Sequence, residues 1–128
     1  MGLLKSIFKA SEPKEEKILP WIPLNTTAQL SYINEKSKSK TQIVFKHSTR
    51  CGISRMVMKQ FVASYTLTDK EADLYYLDLL SYREISNEVG YAFQVFHESP
   101  QILIIKNGVV VAHASHGGVN AIELPEYI

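Results

Sequence analysis

Apolar residues follow two spacings along this chain, and the switches between them divide it into elements. Thr41 to Lys46 carries the unbroken, largely β-branched run Ile43-Val44-Phe45, the pattern of a strand buried on both faces. From Cys51 to Tyr65 the spacing becomes helical, with Ile53, Val57, Phe61 and Ser64 or Tyr65 on one stripe. Asp73 to Leu80 reads as a second buried strand. Tyr82 to Phe93 reads as a helix with Tyr82, Ile85, Val89 and Phe93 in register. Gly90 inside that helix costs about 1 kcal/mol against alanine, which weakens its C-terminal half. Gln101 to Lys106 and Val109 to Ser115 flank Asn107-Gly108, the sequence of a two-residue hairpin. His116-Gly117-Gly118 is expected to be a loop, and Asn120 to Glu123 to begin a last helical turn that Pro125 cuts short.

Upstream, Trp21 lies between Pro20 and Pro23, so Ile18 to Leu24 suits an edge strand, where proline's missing N–H is harmless. Asn25 or Thr26 can cap a helix that turns Leu30 and Ile33 inward and ends in the solvated run Lys36-Ser37-Lys38-Ser39-Lys40. Residues 1–17 form an N-terminal extension: a short amphipathic opening (Leu3, Leu4, Ile7, Phe8) and a charged linker, leaving 18–128 as one domain. The order β-α-β-α-β-α-β-β with a short C-terminal helix makes this an α/β protein with a central mixed sheet and helices on its faces.

Composition narrows the function. A formal net charge of +1 gives nothing that would draw the chain to nucleic acid or an anionic membrane. No apolar run approaches the ~20 residues of a membrane span, and no signal peptide is apparent, so a reducing cytoplasm is the expected compartment. One cysteine excludes an intrachain disulfide and an all-cysteine metal site. His47, His97, His113 and His116 match no zinc spacing, so no metal is expected.

That one cysteine, Cys51, stands where the buried strand gives way to a helix. Unpaired N–H groups and the positive end of the helix dipole favour thiolate there, and can bring a cysteine pKa from ~8.5 to between ~3.5 and ~7.5. Lys46, His47 and Arg50 add charge of the right sign. A lone cysteine often serves as a small core hydrophobe. Thr49, Arg50, Gly52 and Ser54 are poor packing partners for that role, and they point to a nucleophile at the carboxyl ends of the parallel strands.

Two features at the right distance, Cys51-Gly52-Ile53-Ser54 opening a helix and Ser99-Pro100 before the hairpin, resemble the thioredoxin superfamily and imply a thioredoxin-like fold. The resemblance implies that the Ser99–Pro100 bond is cis, that Pro100 faces Cys51, and that the Ser99 backbone pairs with an extended substrate. Longer stretches are similar to the bacilliredoxin-like proteins of the YtxJ type: Phe45 to Ser54, Tyr76-Leu77-Asp78-Leu79, Arg83 to Glu88, His97-Glu98-Ser99-Pro100-Gln101 and Ala114-Ser115-His116. The likeness covers roughly residues 20 to 120. It implies a monothiol oxidoreductase that removes the low-molecular-weight thiol bacillithiol from protein mixed disulfides, with no bound cofactor. Gly52 departs from the Pro or Ser expected after the cysteine, and Pro125 shortens the last helix.

Under that resemblance Cys51 attacks and Ser54, in the resolving position, donates a hydrogen bond to its thiolate. The N–H groups of Gly52, Ile53 and Ser54 steady negative charge. Arg50, and His97 if it faces the cleft, are the candidates to contact the small thiol's carboxylates. The expected partners are protein mixed disulfides and the small thiol, with the protein a monomer. Two rivals remain: a glutaredoxin-like [2Fe–2S] carrier, because Cys-Gly-Ile-Ser differs by one apolar residue from Cys-Gly-Phe-Ser, and a redox-inactive thioredoxin-fold binding module.

Overall fold

A computed structural model describes residues 17–128. The amphipathic opening expected at Leu3 to Phe8 lies outside them. Five strands form one sheet: β1 (Ile22–Pro23), β2 (Thr41–His47), β3 (Ala72–Asp78), β4 (Gln101–Lys106) and β5 (Val109–Ser115). Three α-helices connect them: α1 (Ala28–Lys36), α2 (Gly52–Ser64) and α3 (Arg83–Phe93). The strand order is β1-β3-β2-β4-β5. β1, β3 and β2 are mutually parallel, and β4 and β5 run antiparallel beside β2. The expected order of elements is the order found. The chain end differs: two 3₁₀ segments, His116–Ala121 and Leu124–Tyr127, replace a loop and an α-helical turn. Pro125 lies at the start of the second segment, where it needs no N–H donor.

Strand alternation divides the interior into two layers. Val44, Tyr75, Leu77, Leu103 and Ile105 point to one face and pack with Leu30, Ile33, Ile85, Val89 and Phe93 of α1 and α3. Ile43, Phe45, Leu74, Ile102 and Ile104 point to the other, where Val57 and Phe61 of α2, Tyr65 and Val119 cover them. Phe45, Phe61 and Trp21 form an aromatic group there, with the Phe45 and Phe61 centroids 4.9 Å apart. On α2 the inward stripe is Ser54, Val57 and Phe61. Ile53, assigned to that stripe from spacing, is instead 57% exposed, because Ser54 takes the inward position one residue later. Tyr82 is likewise partly exposed, and α3 begins after it.

Candidate active site

β2 enters the site as Phe45-Lys46-His47, all three buried, and alternation sends their side chains to opposite faces. Ser48 to Arg50 then turn away from the sheet, and Cys51 begins α2 as its N-cap in an extended conformation, φ −97° and ψ 122°. Its N–H donates to Ser48 O at 3.2 Å, and its carbonyl accepts the first helical bond, from Arg55 N–H at 3.0 Å. The N–H groups of Gly52, Ile53 and Ser54 precede that bond, so they belong to the helix's open donor end. Cys51 is half-buried, its sulfur in no disulfide. Arg50 beside it is exposed, as is Gly52.

The Ser54 hydroxyl was expected to donate to the Cys51 sulfur, but its observed partners are different. Ser54 is fully buried, its Oγ accepts the Ser48 N–H at 3.1 Å, and it lies 2.8 Å from His47 Nδ1. The hydroxyl therefore ties the cysteine loop to β2. His47 is held by its own strand and by β3: its ring lies against Phe45 and Tyr76, and its carbonyl accepts Leu79 N–H at 3.0 Å. Burial pushes the imidazole below its usual pKa, Asp78 opposes that shift, and Arg55 adds to it. Neither His47 nor Ser48 was singled out from the sequence as a partner of Ser54. The usable signal was alternation, which places His47 with Phe45 on the face that α2 covers.

Lys46 corrects a second expectation. It does not add charge beside Cys51; it points to the α1/α3 face, fully buried. There its ammonium donates to the Ser86 carbonyl and to His97 Nδ1, each at 3.3 Å. Burial lowers its pKa to about 8. His97, proposed for the cleft, has Nδ1 engaged by Lys46 and 3.3 Å from Ser86 Oγ. Partial burial, Lys46 and Arg83 lower its pKa, against Glu98.

The segment from Gln94 to Pro100 brings the chain back to the sheet. Gln101 pairs with Lys46 in antiparallel register, so Pro100 and Ser48 leave the sheet at the same end. The Ser99–Pro100 peptide is cis. Pro100 is buried, and its carbonyl accepts His116 N–H at 2.9 Å. Ser99 Oγ is buried with no hydrogen-bond partner among the described residues. Cys51, the helix-start donors and the Ser99–Pro100 turn thus share one edge of the sheet. His97 follows on the same segment, with Nδ1 linked to β2 and α3.

Over residues 22–124 the sequence matches the family described as monothiol bacilliredoxin BrxC. The chain belongs to the monothiol bacilliredoxin family. It is similar to a solved thioredoxin-fold protein described as a candidate oxidoreductase, at 32% identity over 84% of this chain and 92% of that one, TM-score 0.69. The fold is shared with Schistosoma mansoni thioredoxin, at 20% identity over 84% and 95% of the two chains, TM-score 0.62. Spinach chloroplast thioredoxin f also shares it, at 14% identity over 84% and 89%, TM-score 0.60. This bacilliredoxin is therefore a thioredoxin-fold protein of thiol-oxidoreductase type with one cysteine. Among the described residues no helix is long and apolar enough to cross a membrane.

Proposed function

We propose that the chain reduces mixed disulfides between protein thiols and bacillithiol by a monothiol route through Cys51. The observation that carries this reading is the setting of that sulfur: half-buried at a helix N-terminus, in a chain with no second cysteine to resolve a disulfide. The Cys51 thiolate attacks the bacillithiol sulfur of the substrate. The protein–bacillithiol bond breaks, the target leaves as a thiolate that takes a proton from solvent, and Cys51 becomes bonded to bacillithiol. A second bacillithiol thiolate attacks the bacillithiol sulfur of that adduct, freeing Cys51 and leaving bacillithiol disulfide.

In this scheme the Gly52, Ile53 and Ser54 N–H groups face the sulfurs. The Ser99 backbone pairs with the incoming chain beside Pro100, and exposed Arg50 takes the bacillithiol carboxylates. His97 enters only with Nε2, since Nδ1 is occupied by Lys46. No bound cofactor is needed, the chain acts as a monomer, and a reducing cytoplasm suits a free thiol of this kind. A target protein carrying one bacillithiol tests the scheme. Wild type is expected to release the target thiol on a catalytic timescale, and Cys51→Ala to leave it at the spontaneous rate. Equal release by both would refute it.

A further inference from the structure

Lys46 of β2 and Gln101 of β4 are register partners, so their side chains lie on the same face of the sheet, and both are fully buried. Both also reach the same two residues of the returning segment. The Lys46 ammonium donates to His97 Nδ1 at 3.3 Å, and the Gln101 amide donates to Phe96 O at 2.9 Å. An ammonium has no lone pair, so Nδ1 is the acceptor, and the neutral imidazole carries its proton on Nε2. A further bond from the ammonium to Ser86 O, at 3.3 Å, fixes Lys46 to α3. The residues that follow are held as closely. The Ser115 hydroxyl, at the end of β5, donates to the Glu98 carboxylate, and Pro100 O accepts His116 N–H at 2.9 Å. Ser99 is passed over: among the described residues, neither its backbone groups nor its Oγ has a hydrogen-bond partner. The turn is fastened on both sides of the one residue whose backbone the proposed function assigns to the incoming chain.

Apolar side chains at these two positions would serve the core better. Among the described residues Lys46 has a carbonyl and an imidazole as partners but no carboxylate, and Gln101 leaves Oε1 unpaired. Buried groups of this kind cost stability, so packing does not account for them. What they have in common is their hold on Phe96 and His97.

We infer that Lys46 and Gln101 are positioning residues for the substrate: by clamping Phe96 and His97 they hold the Ser99 backbone open and in register for the extended chain that carries the disulfide. The inference rests on the proposed function in needing a reactive Cys51 and a chain paired at Ser99, but it does not need bacillithiol.

The test compares two disulfides that contain no bacillithiol. One is an extended peptide whose cysteine carries a 2-thiopyridyl group; the other is a single cysteine, blocked at both ends, carrying the same group. The Cys51 thiolate attacks the cysteine sulfur, the bond to the thiopyridyl sulfur breaks, and the thiopyridyl thiolate leaves, takes a proton from solvent and is read by its absorbance. The ratio of the two rates cancels the reactivity of the Cys51 sulfur and reports on pairing of the chain. Wild type is expected to favour the peptide. In Lys46→Met, and in Gln101→Leu, the ratio should fall by about fivefold, the worth of roughly one hydrogen bond to the docked chain. Urea denaturation should find Lys46→Met no less stable than wild type, whereas a merely structural role would lose rate and stability together. His97→Ala, at an exposed position, should show the same fall and decides the matter if Lys46→Met does not fold. His97→Asn, which keeps an acceptor near the place of Nδ1, should restore most of the ratio. A wild type with no preference for the peptide, or a ratio unchanged in Lys46→Met or in His97→Ala, overturns the inference. No reaction with either disulfide refutes the proposed function as well, and inertness toward a bacillithiolated target alone refutes only that function.

Discussion

Lys46 and His47 are neighbours in β2 with opposite surroundings. His47 meets Ser54 on the α2 side, whereas Lys46 points to the α1/α3 side with a carbonyl and an imidazole as its observed partners. A buried ammonium without a carboxylate costs stability, and the lowering of its pKa from 10.5 to about 8 corresponds to about 3 kcal/mol. The sign follows from proton counts. Below pH 8 both folded and unfolded chains hold the Lys46 proton and the full cost applies. Between about 8 and 10.5 the folded chain releases it first and the cost fades; above 10.5 it is gone. Lys46→Met should therefore raise unfolding free energy by about 1–3 kcal/mol at pH 7 and by less at pH 10, as read by urea denaturation. A gain at pH 10 equal to or larger than that at pH 7 would contradict this origin. Nothing in the sequence separated Lys46 from a surface lysine. A continuous apolar run such as Ile43-Val44-Phe45 hides which face each side chain takes, and a charged residue at its end is ordinarily solvated.

Local chemistry marked the ends of elements better than their faces. Asn107 and Gly108 both have positive φ, 52° and 78°, the backbone that a two-residue hairpin demands and that their sequence announced. Gly108 also approaches α1: a Cβ there would lie 2.8 Å from the Asn34 amide oxygen, while Gly108 N–H is held by Ser37 Oγ. Gly108→Ala should cost roughly 1–2 kcal/mol from the left-handed backbone, more if Asn34 cannot move aside. The measurement is a urea or thermal unfolding comparison, and an unchanged midpoint would contradict the reading. The start of α2 at Gly52 was legible because a strand pattern changes to helical spacing there. Its inward stripe was right at Val57, Phe61 and Tyr65 and wrong only at its first member, where the buried position is held by Ser54 and not Ile53, and a hydrophobic pattern does not register a serine. The bulge at Ile104/Ile105, which leaves Val111 between the paired Val110 and Ala112, gave no signal either, since all neighbouring residues are apolar. The 3₁₀ segments were unreadable for a related reason: Gly117 and Gly118 look like a loop, yet Val119 is buried among the α2-side core residues.

At the scale of the molecule, the sheet carries two packed layers and presents one working edge. β2 is the central strand, bonded to β3 and β4, and it delivers Lys46 to one layer and His47 to the other just before Cys51. The same edge receives the Ser99–Pro100 turn, because Gln101 begins β4 opposite Lys46. Family, fold and the cysteine's place at a helix start were readable from motifs at fixed spacing. The contacts of Ser54, Lys46 and His97 were not, since each depends on which face a strand or loop turns inward. The central claim is that Cys51 alone carries the small thiol between its substrate and its release. Intact-protein mass spectrometry during incubation with a bacillithiolated target tests it most directly. A transient addition of one bacillithiol mass, mapped to Cys51, is expected to rise as the target thiol appears and to fall when free bacillithiol is supplied. Release of the target with no adduct on Cys51 would contradict it.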